Sequence, residues 1–126
     1  LKVPQTCDFD GESLVPLLSE KGPLERQALY WHFPAYLERY RGMETYWRTT
    51  PAGAIRSGDY KLIEFFEEGN LELYDLADDP GETRNLVTIL PDEVKRLHQQ
   101  LRIWRNRVDA PVPCVKNPKY QADSNR

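Results

Sequence analysis

The chain has 126 residues, of which 40% are hydrophobic and 29% are charged, and its formal net charge is −3. This length supports one hydrophobic core, and the composition is that of a folded globular protein rather than a disordered segment. The negative charge gives no electrostatic support for nucleic-acid binding, and no apolar run approaches the roughly 20 residues of a membrane-spanning helix.

A short helix is predicted near the N-terminus. Ser13 is the expected N-cap, and Leu14, Leu17 and Leu18 would form an apolar helix face. The Lys-Gly-Pro sequence at residues 21–23 should end this helix.

A strand and a long loop follow. Residues 27–33, QALYWHF, are rich in aromatic side chains and are stopped by Pro34, which predicts a strand. Residues 35–51 have no clean periodicity, so we expect them to form the longest loop.

The middle of the chain predicts an antiparallel meander. Residues 54–57, 60–67 and 71–76 read as strands, and the turn sequences Ser-Gly-Asp at 57–59 and Glu-Gly-Asn at 68–70 separate them. In the central strand, both Ile63 on one side and Leu62 on the other are apolar. Because an antiparallel sheet usually leaves one face to water, we expect another element to cover the second face.

The last predicted element is an amphipathic helix. Its apolar residues recur at spacings of three and four, at Val94, Leu97, Leu101, Trp104 and Val108. Pro91 suits its first turn, and the charges at its ends complement the helix dipole, with Asp92 and Glu93 at the start and Arg102, Arg105 and Arg107 at the end. Trp104 should be a core residue, and the prolines after residue 110 predict an extended tail.

Taken in order, five segments of the chain carry a resemblance to a known family. They are residues 10–18 (DGESLVPLL), 30–34 (YWHFP), 55–63 (IRSGDYKLI), 73–86 (LYDLADDPGETRNL) and 117–120 (NPKY). This order resembles the C-terminal subdomain of the formylglycine-dependent sulfatases, notably bacterial members similar to arylsulfatase A or N-acetylgalactosamine-6-sulfatase. The resemblance implies an α+β fold, a small four-stranded antiparallel sheet with one long C-terminal helix packed on one face.

The resemblance also implies a division of the chain and a partner. Residues 1–23 would be the tail end of a catalytic α/β domain, residues 24–110 the subdomain, and residues 111–126 an extended tail. The subdomain would dock on the catalytic domain of the same polypeptide and shape its substrate pocket, and it would be inactive alone. The substrate would be a sulfated carbohydrate or an aryl sulfate, and the family suggests a periplasmic, extracellular or lysosomal location. The chain begins with Leu1 rather than Met, without an apolar signal segment, which also suggests a portion of a longer polypeptide.

The chemistry of this family needs groups that the sequence does not carry. A Cys or Ser in a [C/S]-x-P-x-R motif becomes formylglycine, and Asp and Asn oxygens hold a Ca²⁺ ion. Neither Cys7 nor Cys114 lies in such a motif, and no Ser-x-Pro-x-Arg occurs. We therefore expect no catalytic residue, metal site or cofactor in this chain, and assign Ca²⁺ and formylglycine to the catalytic domain. A disulfide between the two cysteines is compatible with their positions, and unpaired thiols are the alternative.

Four residues are candidates for contact with the substrate. His32 could donate a hydrogen bond to a substrate hydroxyl or sulfate, and the alternative is a buried His bonded within the sheet. Tyr36, Arg39 and Trp47 belong to the long loop, where aromatic faces could stack on sugars and guanidinium groups could bind sulfate. Alternatively, the aromatic residues pack on the catalytic domain and the arginines pair with nearby glutamates.

Several acidic residues have simpler explanations than metal binding. Asp8 and Asp10 lack the other ligands of a calcium loop, and Asp78, Asp79 and Glu82 suit a turn followed by a capped helical turn. Lys61 lies in a strand between apolar neighbours and would be snorkelling or paired rather than a sulfate ligand.

Two further functions remain as alternatives. An independent saccharide- or protein-binding module using residues 35–50 should have a polar second sheet face. A self-contained hydrolase site made from His32 with Glu64 or Asp59 would lack an activated nucleophile.

Overall fold

Four antiparallel strands, hydrogen-bonded in chain order, form the sheet of this protein. The computed structural model describes residues 11–37, 49–118 and 120. Its elements are α1 (Val15–Leu18), β1 (Leu29–Phe33), β2 (Ala52–Ser57), β3 (Tyr60–Phe65), β4 (Leu71–Asp75) and α2 (Pro91–Arg107). The predicted α+β fold, with one long C-terminal helix on one sheet face, is confirmed.

The register of the sheet follows from the turn between β2 and β3. Ser57 pairs with Tyr60, so Gly58 and Asp59 form a two-residue turn. Gly58 has a φ of 60°, the left-handed conformation that a type II′ turn requires at this position and that glycine adopts without a steric penalty. This register places Ile55 opposite Leu62 and fixes which side chains share a face.

The core lies between one face of the sheet and α2. Its members are Ile55, Leu62 and Leu73 from the strands, Leu97 and Leu101 from the helix, and Leu86 from the preceding loop, and none is more than 4% exposed. Burial of each such side chain contributes about 1.5–3 kcal/mol. These contacts hold the helix against the sheet.

The second face of the sheet points away from α2 and is also apolar. In β1 it carries Leu29, Trp31 and Phe33, which are 40%, 50% and 39% exposed. Trp31 lies opposite Ala54, which in turn lies opposite Ile63, so the apolar surface extends across three strands. The prediction of two apolar faces is therefore confirmed, and the β1 side of the second face is accessible to solvent.

The first helix differs from the prediction. It begins at Val15 with Leu14 as its N-cap, one residue later than predicted, and the hydroxyl of Ser13 accepts a hydrogen bond of 3.3 Å from the amide of Val15, the first helical residue. Pro16, in the first turn, has no N–H to offer to a cap, which removes one of the reasons for a cap at Ser13. The predicted apolar face is not buried, because Leu14, Leu17 and Leu18 are 55%, 52% and 82% exposed.

Other predicted boundaries shift by a few residues. Strand β3 ends at Phe65 rather than at residue 67, because Glu67 belongs to the following turn. Trp104 packs against the core but is only partly buried, and its ring stacks on that of Tyr30 at 4.8 Å between centroids. Of the helices that the structure describes, none has the length and apolar character needed to cross a membrane.

The helix–sheet core makes a direct prediction about stability. Replacing Leu101, which is fully buried, with Ala should lower the free energy of unfolding by about 3 kcal/mol, because it leaves a cavity between α2 and the sheet. The control, Ile103→Ala, changes a side chain of the same helix that is 60% exposed and should cost less than about 0.5 kcal/mol. Urea denaturation measures both values, and equal costs would contradict the assigned core.

Candidate functional site

One end of the sheet brings together residues that are far apart in the sequence. After β1, Leu37 forms an antiparallel bridge with Thr49, so Tyr36 lies beside the start of β2. After β3, the Phe66 amide donates to the carbonyl of Pro51 at 2.9 Å, and the turn that follows brings Glu67 to the same end. The positions of Tyr36 and Glu67 therefore follow from strand pairing.

The C-terminal tail crosses this end of the sheet. Both oxygens of the Glu67 carboxylate are used, since Oε2 accepts from the Tyr36 hydroxyl and Oε1 accepts from the Asn117 amide at 3.1 Å. The neighbouring Glu68 accepts from the Tyr120 hydroxyl, and the rings of Tyr36 and Tyr120 lie 6.3 Å apart. We call Tyr36, Glu67, Glu68, Asn117 and Tyr120 the tail clasp.

The clasp makes the Tyr36 phenol harder to deprotonate, because it raises the pKa of the phenol. Burial raises the pKa of Tyr36 well above its ordinary value of 10.0, and the Glu67 carboxylate raises it further by accepting the phenolic proton and by its negative charge. Tyr36 is therefore a neutral hydrogen-bond donor throughout the physiological pH range.

His32 lies on the face of β1 that points towards α2. Its Nε2 is 2.8 Å from the carbonyl oxygen of Pro111, and because a carbonyl can only accept, Nε2 carries the proton. Nδ1 is buried and has no hydrogen-bond partner in the part of the chain that the structure describes. The ring also contacts Phe66 at 5.5 Å between centroids, so His32 joins the sheet to the beginning of the tail.

A buried ion pair joins β3 to α2. Arg105 is 8% exposed, and its Nη1 donates to Glu64 Oε2 at 2.7 Å, while its guanidinium carbon lies 5.2 Å from the centre of the Phe66 ring. His98 Nε2 is 3.2 Å from the other oxygen of Glu64, but it is poorly aligned for a directional hydrogen bond. We call Glu64, His98 and Arg105 the ion-pair cluster.

The cluster controls the protonation of Glu64. Burial acts to raise the pKa of this carboxyl group, but the hydrogen bond and positive charge of Arg105, together with the nearby His98 ring, outweigh burial, so the pKa lies below its ordinary value of 4.5. Glu64 is therefore an anion at neutral pH and is committed to its partners on α2. It is not paired with His32, as the self-contained hydrolase hypothesis would require.

The remaining predicted residues have structural partners or lie outside the described residues. Lys61 pairs with Glu82 at 2.7 Å, as predicted. The Asp79 carboxylate accepts from the amides of Thr83 and Arg84, both at 2.8 Å, which is the predicted capped turn. Arg39, Trp47, Asp8, Asp10 and Cys7 lie outside the described residues.

The described residues offer no metal-binding cluster. Within residues 11–37, 49–118 and 120, no group of three or more His, Cys, Asp or Glu side chains could hold a metal ion. Cys114 is an exposed thiol. These residues therefore offer no set of ligands for Ca²⁺.

A separate open groove lies between the N-terminal segment and α2. Its volume is about 950 Å³, and its lining includes the stacked Tyr30 and Trp104 rings together with Glu12, Arg26 and Arg107. The Glu12 carboxylate accepts from the backbone amides of Glu25 and Arg26, which ties the two sides of the N-terminal segment together. These hydrogen bonds hold the wall of the groove that the N-terminal segment forms. The lining of the groove carries charges of both signs.

The sequence had not indicated the ion-pair cluster or the tail clasp. The helix dipole offers a local explanation for Arg105, yet this residue lies four positions after Leu101 and therefore on the apolar stripe. Glu64 lies on the same sheet face as Leu62, which faces this stripe. A charged residue on the stripe opposite a charged residue on that face was the signal that could have revealed the pair. For Glu67, Asn117 and Tyr120 no local pattern was available, because the contacts join distant segments.

Comparison with known proteins identifies the family. Residues 1–107 match the family model described as "N-sulphoglucosamine sulphohydrolase, C-terminal". The chain belongs to this sulfatase C-terminal family. Membership agrees with the order of segments, the four-stranded sheet and the C-terminal helix described above.

Relatives of this C-terminal family match the chain over most of its length. A sulfatase of Formosa agariphila is 32% identical over 98% of the chain, and arylsulfatase A of Homo sapiens is 31% identical over 82%. A solved structure of a protein in complex with its substrate D-glucosamine-2-N,6-O-disulfate superposes with a TM-score of 0.63 at 28% identity, over 93% of the chain. The chain spans only 24%, 23% and 23% of these proteins, respectively.

The ion-pair cluster predicts a pH-dependent effect on stability. Arg105→Gln should lower the free energy of unfolding by about 2 kcal/mol near neutral pH, because Glu64 loses a charged hydrogen-bond donor in a half-buried site. Since the pKa of Glu64 is lowered on folding, the stabilisation is present above its ordinary pKa of 4.5 and is lost as the pH falls through the lower folded value.

The difference between wild type and Arg105→Gln should therefore shrink below about pH 4. Denaturant titrations at neutral and acidic pH measure it. Arg102→Gln changes an exposed arginine of the same helix and should have little effect at either pH. If the loss of stability caused by Arg105→Gln did not change with pH, the ion pair between Arg105 and Glu64 would not be the source of that loss.

Proposed function

We propose that this chain is the C-terminal subdomain of a sulfuric ester hydrolase that removes sulfate from a sulfated saccharide or an aryl sulfate. Residues 24–110 form the subdomain, residues 1–23 are the end of the catalytic α/β domain, and residues 111–126 are the tail. Support comes from the family match over residues 1–107 and from relatives named as sulfatases, of which the chain spans about a quarter.

The observation that carries this proposal is the apolar second face of the sheet. Leu29, Trp31 and Phe33 form an exposed aromatic and aliphatic row, although the opposite face is closed by α2. Burying such a row is favourable by about 25 cal/mol per Å² of apolar surface. In this proposal the occupant is the catalytic domain of the same polypeptide, because about three quarters of each relative lies outside the matched part.

The same face argues against an independent binding module. A freestanding module would expose polar side chains on the side of the sheet that no helix covers. Here Trp31 is 50% exposed at the centre of β1, between Leu29 and Phe33. An aromatic row of this kind is typical of a surface that another protein surface covers.

The catalytic groups belong to the other domain in this proposal. Formylglycine would be the nucleophile, and Ca²⁺ with the sulfate-binding residues would lie in the catalytic domain. The role of this chain is to complete the fold of the enzyme and to shape one wall of the pocket. A periplasmic, extracellular or lysosomal location accompanies the proposal, as in the family that the sequence resembles.

Two of the four residues proposed for the pocket wall, Tyr36 and His32, lie at or near the tail clasp. Tyr36 belongs to the clasp, and His32 precedes it in β1 and contacts the tail through Pro111. Arg39 and Trp47 remain predictions from the sequence. Aromatic rings and a guanidinium group are the kinds of side chain that suit a saccharide that carries sulfate.

The docking part of the proposal can be tested in the intact polypeptide that includes the catalytic domain. Trp31→Glu would place a charge in the apolar interface, so we expect at least a tenfold loss of sulfate release from D-glucosamine-2-N,6-O-disulfate or para-nitrophenyl sulfate. The control is Ile89→Glu, which changes another exposed apolar residue, 62% exposed, that lies outside the sheet. It should leave the rate within about twofold of the wild type.

The chain of 126 residues assayed alone should release no sulfate above background. Full activity of a folded Trp31→Glu polypeptide would refute the docking arrangement. Failure of the wild-type polypeptide to release sulfate from either compound would refute the proposed activity.

A further inference from the structure

Glu67 is an unusual carboxylate for a small sheet. It lies in the turn after β3 and is only 7% exposed. A carboxylate can be buried at this depth only when hydrogen bonds replace the lost hydration. Donors from two other segments supply them, the Tyr36 hydroxyl on one oxygen and the Asn117 amide on the other.

These hydrogen bonds connect three segments that are distant in the sequence. Tyr36 is 31 positions before Glu67, and Asn117 is 50 positions after it. Tyr36 directly precedes the Leu37–Thr49 bridge, and Asn117 accepts from the Tyr120 amide at 2.9 Å. The carboxylate is therefore the point at which the end of the β1 segment and the C-terminal tail are held to β3.

The clasp also sets the orientation of two aromatic rings. The rings of Tyr36 and Tyr120 are tilted by 51° and lie 6.3 Å apart, and the hydroxyl of each donates to one of the adjacent carboxylates, Glu67 or Glu68. Both tyrosines are only partly buried. Each ring is thus fixed at its hydroxyl end while part of its surface stays accessible.

We propose that Glu67 is a positioning residue for substrate binding, which holds the Tyr36 ring in the orientation that receives a saccharide. This inference rests on the proposed function, in which Tyr36 forms part of the pocket wall. The chemical class of ligand is a sugar ring, whose C–H surface packs on an aromatic face. Glu67 itself contacts no substrate and acts through Tyr36.

A positioning role has a specific kinetic signature. The stacking contact forms when the substrate binds and persists in the transition state, so its loss raises KM and leaves kcat unchanged. In the intact polypeptide, Glu67→Gln should raise KM for D-glucosamine-2-N,6-O-disulfate about tenfold, because the amide replaces one of the two acceptor oxygens with a donor. The value of kcat should change less than about twofold.

Tyr36→Phe provides an independent test, because it keeps the ring and removes the hydroxyl that Glu67 holds. It should raise KM to a similar extent. The double variant should be no worse than either single variant, because both changes remove the same interaction. Glu93→Gln is the matched control, since Glu93 is on the surface of α2 and pairs with Arg96 there. It should change neither constant.

Hydrogen exchange separates the structural contact from its kinetic role. In the wild-type chain the Asn117 amide should be protected, and it should exchange faster in Glu67→Gln but not in Glu93→Gln. Faster exchange together with the KM effect would support the inference. Faster exchange with unchanged KM in an active polypeptide would overturn it and leave the proposed function intact. A wild-type polypeptide without sulfatase activity would overturn the proposed function first, and this inference with it.

Discussion

The sheet has two apolar faces, and within the described residues α2 covers one of them; the rest of the structure follows from that constraint. On one face, Ile55, Leu62 and Leu73 are completely buried beneath α2. On the other face, the row of Leu29, Trp31 and Phe33 stays exposed. Because adjacent residues of a strand point to opposite faces, a helix that covers the His32 side of β1 cannot also cover Trp31. In the proposed arrangement, the catalytic domain supplies the second layer that covers Trp31.

Polar contacts decide how the peripheral segments are arranged on this apolar framework. The ion-pair cluster fixes the end of α2 through Arg105 and Glu64, and the tail starts a few residues later. The tail then passes His32 and reaches the tail clasp, where Glu67 accepts a hydrogen bond from the Asn117 amide. Hydrogen bonds to buried charged groups are costly to break, so these contacts select one path for the tail among many that would satisfy the hydrophobic core equally well.

The regular elements could be predicted because their causes are local. Alternating apolar residues and the Gly58 turn predicted β2 and β3, and spacings of three and four predicted α2. The start of α1 also depends on local chemistry. The prediction of a cap at Ser13 was wrong because it took no account of Pro16. The predicted ends of the strands were less accurate, because they depend on contacts between distant segments, such as the hydrogen bond from the Phe66 amide to the Pro51 carbonyl.

The site could be predicted only in part, because its contacts are not local. The sequence suggested Tyr36 and His32 from their chemistry, but it could not indicate that Glu67 and Pro111 are their partners. Arg105 had a sufficient local explanation in the helix dipole, which concealed its pairing with Glu64. The family resemblance supplied the larger context, and residues 1–107 match that family.

Solvent accessibility of Trp31 tests the central idea most directly. Hydroxyl-radical footprinting can compare its oxidation in the 126-residue chain with that in the intact polypeptide that includes the catalytic domain. The account predicts strong oxidation of Trp31 in the chain alone and marked protection in the intact polypeptide, while the exposed Ile89 reacts equally in both. Equal oxidation of Trp31 in the two proteins would mean that no domain covers the second face, and the docking arrangement would then be wrong.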